Sequence, residues 1–325
     1  MTSPELSPTV DPSPSSTEAA TAYAPASIGN VGVGYDTLGC ALEDATGDRV
    51  TVRRLDDPVV RIVSMTGVDA DVLPTTPEEN TASAALLSLQ EATGLAFGFE
   101  VAIEKGIPLS SGMGGSAASA VGAVVAANAL LDDPLPNDEL LRHALQGEAV
   151  ASGSIHADNV APCLYGGLIL TRAVDPPDVV QIPAPSGVRC VLVHPHLKIQ
   201  TREARACVPD ALPTADVTRQ TAHLGAFIAA CYRDDVALLG RALRDFLVEP
   251  HRAALVPGFS TVQSAAMDAG ALGCTLAGAG PSLFAWCAAN DAATVRDAMT
   301  DAFASTGTDV DTWISSVDAP GAFVV

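Results

Sequence analysis

The segment Pro108-Leu-Ser-Ser-Gly-Met-Gly-Gly-Ser-Ala-Ala-Ser119 constrains this chain more than any other. Phe99 to Glu104, just ahead of it, alternates as a strand does, and the Ala- and Val-rich run Ser116 to Leu131, closed by Asp132-Asp-Pro134, predicts a buried helix. Gly112, Gly114 and Gly115 let backbone N–H groups approach an anion with no Cβ in the way. The unpaired amides and positive dipole end of a helix that starts at Ser116 face the same point. A phosphate site fits this geometry. It is not the common P-loop, because G-x-x-x-x-G-K-[ST] needs a Lys that is missing here, and the dinucleotide pattern G-x-G-x-x-G is unmatched too. Taken alone, the segment also fits a purely structural turn before an Ala-rich helix.

Around this loop the chain reads as a mixture of strands and helices that do not alternate one for one, an α+β pattern. Strands are expected at Thr21 to Ser27, Arg49 to Arg54 and Val59 to Met65, with a glycine-rich loop between the first two. Helices are expected at Thr81 to Thr93, with Asn80 as N-cap, and at Asn137 to Ala151. The Pro-rich stretches Asp175-Pro-Pro-Asp178 and Pro183-Ala-Pro-Ser-Gly187 suggest a domain boundary near residue 180, giving domains over 21–180 and 181–325 after a disordered Pro/Ser/Thr-rich tail at 1–20. The second half offers strands at Arg189 to His194, on either side of Gly278-Ala-Gly-Pro281, at Val310 to Ser315 and at Ala322 to Val325. Its helices are expected at Thr201 to Cys207, Asp216 to Arg233, Asp235 to Phe246 and Ala292 to Ala304.

A chain of 325 residues, 48% of them hydrophobic, exceeds one typical core. No apolar run reaches the roughly 18 residues of a membrane span, and no basic-then-apolar leader opens the chain. The net charge is −21, carried against fifteen Arg and only two Lys, Lys105 and Lys198. Nucleic acid is excluded as a partner by that balance. A solvated acidic surface, of the kind found in salty cytoplasm, is the simplest reading. Any anionic substrate must then be met by locally placed amides and arginines. Seven cysteines without a C-x-x-C pair fit reduced, buried thiols in a cytosol. His194-Pro-His196 makes a poor metal-ligand set.

Three segments together resemble those of the GHMP kinase superfamily, which includes galactokinase, homoserine kinase, mevalonate kinase and phosphomevalonate kinase. They are Ala24-Pro-Ala-Ser-Ile-Gly-Asn-Val-Gly-Val-Gly-Tyr-Asp-Thr-Leu-Gly39, the loop from Pro108, and Gly278-Ala-Gly-Pro-Ser282. The first is similar to the homoserine kinase branch's S-A-N-x-G-x-G-F-D-x-L-G. So are Gly153-Ser-Ile-His-Ala-Asp-Asn-Val-Ala-Pro162, Thr201-Arg-Glu-Ala-Arg205 and Glu249-Pro-His-Arg252. Among the departures from the branch pattern are Ile28, Gly29 and Gly115, the last replacing a Ser, so no side-chain contact is expected from Gly115.

The resemblance implies a two-domain α+β fold: an N-terminal domain like the second domain of ribosomal protein S5, with a left-handed β-α-β crossover, and a ferredoxin-like C-terminal domain. It implies a cytoplasmic ATP-dependent kinase of L-homoserine in threonine biosynthesis, with a homodimer common in the family. ATP phosphates would contact Pro108, Ser111, Gly112, Met113, Gly114, Gly115, Ser116 and Ala117, with Asn80 near the adenine and Mg2+ on Ser116 and Glu148. Asn30, Asp36, His156, Asp158 and Gly278 would line the acceptor pocket, with Arg205 and Arg252 on the substrate carboxylate. Thr201 stands where other branches place an aspartate base. It would orient the attacking hydroxyl while Ser116 and Glu148 serve the transfer. Each residue also has a plainer reading: turn stabilisation for Asn30 and Asp36, a capping turn for His156 and Asp158, surface ion pairs for the arginines, a solvated helix face for Glu148, and capping for Asn80. Another acceptor of the superfamily (mevalonate, shikimate or a sugar) and a catalytically silent ligand sensor on the same fold are the alternatives.

Overall fold

The structure, a computed structural model, describes residues 18–325 apart from 44 and 154. The first half contains β1 (Ala19–Pro25), β2 (Ser27–Gly29), β3 (Leu38–Ala41), β4 (Gly47–Leu55), β5 (Val60–Gly67), α1 (Thr81–Thr93), β6 (Gly98–Lys105), α2 (Gly115–Asn128), α3 (Asn137–Ser152), α4 (Val160–Tyr165), β7 (Leu168–Val174) and β8 (Pro177–Ile182). The second contains β9 (Val188–Pro195), α5 (Thr201–Ala206), α6 (Thr214–Arg233), α7 (Val236–Ala242), α8 (Glu249–Arg252), α9 (Phe259–Asp268), β10 (Ala271–Leu276), β11 (Leu283–Ala288), α10 (Ala292–Ser305), β12 (Val310–Ser316) and β13 (Phe323–Val324).

Three sheets organise these elements. One runs β13-β1-β4-β6-β5, antiparallel except for the parallel pair β5–β6, whose strands α1 connects. A second runs β2-β3-β7-β8. The third runs β10-β11-β9-β12, all antiparallel, with two helix-containing connections, as a ferredoxin-like domain requires. Both faces of that third sheet are buried. Along β9, Cys190 and Leu192 belong to the core shared with the first half, while Val191 and Val193 belong to the core under α9 and α10.

α1 lies where Asn80 and the residues after it predict: the Asn80 side chain accepts from the Ala82 N–H at 3.1 Å, and Gly94 closes the helix in the left-handed region. The Ala-rich α2 packs directly on β4, so close that a Cβ on Gly122 would sit 2.8 Å from a Val50 methyl.

Several expectations need correction. The glycine-rich loop expected between the first two strands contains the short strands β2 and β3. Residues 175 and 176 form the turn of the β7–β8 hairpin, with Val174 opposite Pro177. The helix expected to run to Phe246 stops at Ala242, because the Asp245 carboxylate takes the N–H groups of Leu247, Val248 and Glu249 and starts a new turn. α4, α8, α9, β7 and β8 have no counterpart among the expected elements. The tail expected over 1–20 lies, up to residue 17, outside the described residues, and Ala19 and Ala20 already belong to β1. The last strand leaves the third sheet's half of the chain to pair with β1, Val324 opposite Ala22.

Candidate active site

The glycine-rich loop from Pro108 hangs between β6 and α2, and its glycines are required by what surrounds them. Gly114 has φ +70°, and a Cβ there would lie 2.3 Å from Ser27 Oγ. A Cβ on Gly112 would meet the Ala277 carbonyl oxygen at 2.3 Å. The loop is thus held between the first sequence segment and the third. The third segment adds Ser282, whose hydroxyl donates to the Ser111 carbonyl at 2.6 Å and shares a hydrogen bond with His194 at 2.9 Å. His196 instead pairs with Asp311.

Beneath the loop lies a cluster that sequence reasoning missed. Lys105 Nζ contacts the Asp48 carboxylate, the Ser119 hydroxyl at 2.9 Å and the Gly115 carbonyl at 2.6 Å, all out of solvent. Asp48 also accepts from the backbone N–H groups of Gly106 and Ile107. A buried lysine therefore anchors the first residue of α2, whose first-turn amides stay unpaired within the helix and point out of its N-terminus.

In front of the loop opens a cleft of about 520 Å³. Pro108, Ser111, Gly112, Gly114, Gly115, Ser116 and Glu148 line it, together with Asn30, Asp36, His156, Asp158, Thr201, Arg205, Arg252 and Gly278. Three expected residues do not line it. The Met113 and Ala117 side chains are buried in the core, leaving only their backbone for a ligand. Asn80 is 3% exposed and holds Ala82 N, the Pro74 carbonyl and the Met65 sulfur, so it caps α1, with no side-chain atom offered to an adenine.

The acceptor side is built on a strained loop. Asn30 and Asp36 have φ of 68° and 56°, held because Asn30 donates to the Gly278 carbonyl at 2.9 Å and accepts from the Asp36 N–H at 3.0 Å. Arg205, on α5, clasps the Asp36 carboxylate at two points, and His156 Nδ1 stands 3.7 Å from the same carboxylate. Arg252, 2% exposed, donates to the carbonyls of Ala204 and Gly278.

Two family models match: the GHMP kinases N terminal domain over residues 80–167 and the GHMP kinases C terminal over residues 227–305. Over 304 residues, 93% of each chain, the sequence is 48% identical to the homoserine kinase of Xylella fastidiosa strain M12, and it is 42% identical over 316 residues to that of Chloroherpeton thalassium, covering 94% of this chain and 99% of the relative. This chain belongs to the homoserine kinases of the GHMP family. The crystal structure of homoserine kinase from Cytophaga hutchinsonii superposes with a TM-score of 0.91 at 40% identity, covering 96% of this chain and 98% of that one. The Leishmania major mevalonate kinase structure, at 15% identity and a TM-score of 0.66, shares the fold alone.

In this homoserine kinase relative the carboxylates of the cleft carry unusual proton affinities. Burial raises Glu148 to about 7, with nearby Asp158 adding to the rise against a hydrogen bond from Ser116. Burial, with Asp36 close by, raises Asp158 to about 7 against the pull of Arg205. His156 is pushed down by burial and by Arg205. The buried Glu148 carboxylate takes a hydrogen bond from Ser116, the second residue of α2. Ser116 and Glu148, supplying one hydroxyl and one carboxylate, match the sparse protein donor set of a Mg2+ whose other positions go to phosphates and water. Among the described residues no group of three or more His, Cys, Asp or Glu could hold a metal without such help. No helix among them is long and apolar enough to cross a membrane.

Proposed function

We propose that this kinase transfers the γ-phosphoryl group of ATP to the side-chain hydroxyl of L-homoserine, giving O-phospho-L-homoserine for threonine biosynthesis. The observation that carries this reading is the Asp36–Arg205 pair lining the same cleft as the glycine-rich loop. An α-amino acid is a zwitterion, and a fixed carboxylate–guanidinium pair complements it charge for charge. A sugar or an uncharged alcohol gains nothing from that pair.

In this reading Asp36, with Asn30, His156 and Asp158 around it, receives the α-ammonium group, and Arg205 and Arg252 receive the α-carboxylate. Gly278 holds the floor of the pocket through its carbonyl. The amides of Gly112, Gly114, Gly115, Ser116 and Ala117 bind the phosphates, with Pro108 and Ser111 shaping the loop. Mg2+, held by Ser116 and Glu148, would neutralise phosphate charge. The substrate oxygen forms a bond to the γ-phosphorus as the bond to the ADP oxygen breaks. The hydroxyl proton leaves to a phosphate oxygen or to water, while Thr201 orients the hydroxyl. Catalysis then rests on positioning and charge stabilisation. We also read the chain as a cytoplasmic enzyme dividing near residue 180 into two domains and pairing as a homodimer.

ADP release measured with a panel of homoserine, mevalonate, shikimate and galactose tests the assignment. Turnover on homoserine alone is expected; turnover on mevalonate without homoserine, or nucleotide binding with no turnover on any acceptor, overturns it.

A further inference from the structure

Tyr35 has no assigned part in the chemistry, yet both arginines of the acceptor side converge on it. Its phenolic oxygen lies 3.1 Å from Nη1 of Arg205 and 3.3 Å from Nη2 of Arg252. Both guanidinium groups also stand over its ring, 5.8 and 5.2 Å from the centroid. A phenol oxygen has two lone pairs, and here each accepts from one arginine. Two like charges are thereby brought side by side on a shared electronegative acceptor.

The remaining contacts show why that acceptor matters. Arg252 is fixed independently, by the carbonyls of Ala204 and Gly278. Arg205 is not: its Nε is buried without a hydrogen-bond partner, and its other partner is Asp36. Asp36 is also the group that an ammonium substrate would draw toward itself. With or without substrate, the Tyr35 hydroxyl shares the hold on the Arg205 guanidinium with Asp36 and keeps it in register with that of Arg252.

We infer that Tyr35 is a positioning residue for amino acid recognition, its hydroxyl holding Arg205 and Arg252 in one orientation so that together they meet a single carboxylate. The inference rests on the reading of the acceptor as an α-amino acid.

Tyr35→Phe removes the hydroxyl and keeps the ring with both cation contacts. Its KM for L-homoserine should rise about tenfold, the scale of losing hydrogen bonds to charged groups. Its KM for ATP and its urea midpoint should stay close to those of the parent. In substrate-free protein, ¹⁵N spectra of the arginine side chains should show slow guanidinium rotation for Arg205 in the parent and faster rotation in the variant. An unchanged homoserine KM, or unchanged rotation, overturns the role. If the parent protein fails to phosphorylate homoserine, the functional reading falls separately. The rotation measurement, which needs no substrate, then decides by itself whether Tyr35 holds the arginine.

Discussion

The Arg205 guanidinium grips the Asp36 carboxylate at two points, Nη1 to Oδ2 at 3.1 Å and Nη2 to Oδ1 at 2.8 Å, and so ties the loop after β2 to helix α5 in the other half of the chain. A lysine at 205 keeps the charge and loses the fork. Arg205→Lys should lower kcat/KM for homoserine about a hundredfold while leaving the KM for ATP unchanged, on the scale of two charge-assisted hydrogen bonds. Steady-state kinetics with each substrate varied in turn checks this, and an equal loss for both substrates would mean that the pair supports the fold alone.

Gly114 has no room for a side chain and no backbone freedom to spare. A Cβ there would stand 2.3 Å from Ser27 Oγ and 3.0 Å from Asn159 Oδ1, at φ +70°. Gly114→Ala should weaken ATP binding by about tenfold or more through displacement of the loop. Calorimetric titration with a non-hydrolysable ATP analogue gives the affinity, and parent-like binding would show that the loop can yield.

Two lysines allow burial to be compared with exposure. Lys105 and Asp48 are both out of solvent, whereas the side chain of Lys198, paired with Asp69, is 59% exposed. Lys105→Met leaves a buried carboxylate without its cation and should cost about 3–5 kcal/mol. Lys198→Met should cost less than about 1 kcal/mol. Urea unfolding of the two variants side by side tests the contrast.

The raised Glu148 and Asp158 carboxyls make a prediction about acidity. Their folded-state pKa values, each about 7, lie above the unfolded values, so between roughly pH 4 and 7 the folded protein binds protons that the unfolded chain releases. The ligand-free protein should therefore lose stability as pH rises from about 4 to 7, and Glu148→Gln should flatten that slope. Under the proposed reading, in which Glu148 holds Mg2+, activity should move the opposite way, because that role takes the ionised carboxylate. The kcat/KM for ATP should rise through an apparent pKa near 7 that belongs to the carboxylate pair. A pH profile flat between 6 and 8 in both stability and activity would remove Glu148 from this role.

Thr201 opens α5 and borders the cleft, where its hydroxyl can meet that of the substrate. Thr201→Ala should lower kcat about tenfold with little change in either KM. Full turnover in the variant would mean that the acceptor is oriented without it.

How much of this was legible in the sequence depended on the range of the interaction. α1 matches its predicted span because an N-cap hydrogen bond from Asn80 and a left-handed Gly94 are decided within a few residues. The same locality misleads at Asn80 itself, since a capping amide engaged with Pro74 and Met65 is unavailable to a nucleotide. α7 ends early because a carboxylate three residues beyond it captures three backbone amides, and nothing in the apolar pattern of 235–246 announces that competition.

The phosphate loop and its helix were determined by the sequence alone, because glycine geometry and unpaired first-turn amides are properties of consecutive residues. Which charges would face that loop was decided only in three dimensions. Asp48 and Lys105 read as ordinary polar positions until β4 and β6 pair with Arg49 opposite Glu104, which brings their side chains together under α2. Tyr35, Asp36, Arg205 and Arg252 come from three segments scattered over more than two hundred residues, and only the closure of β2, α5 and α8 around Gly278 makes them one site. Conformational preference acts along the chain, whereas electrostatic pairing acts through space.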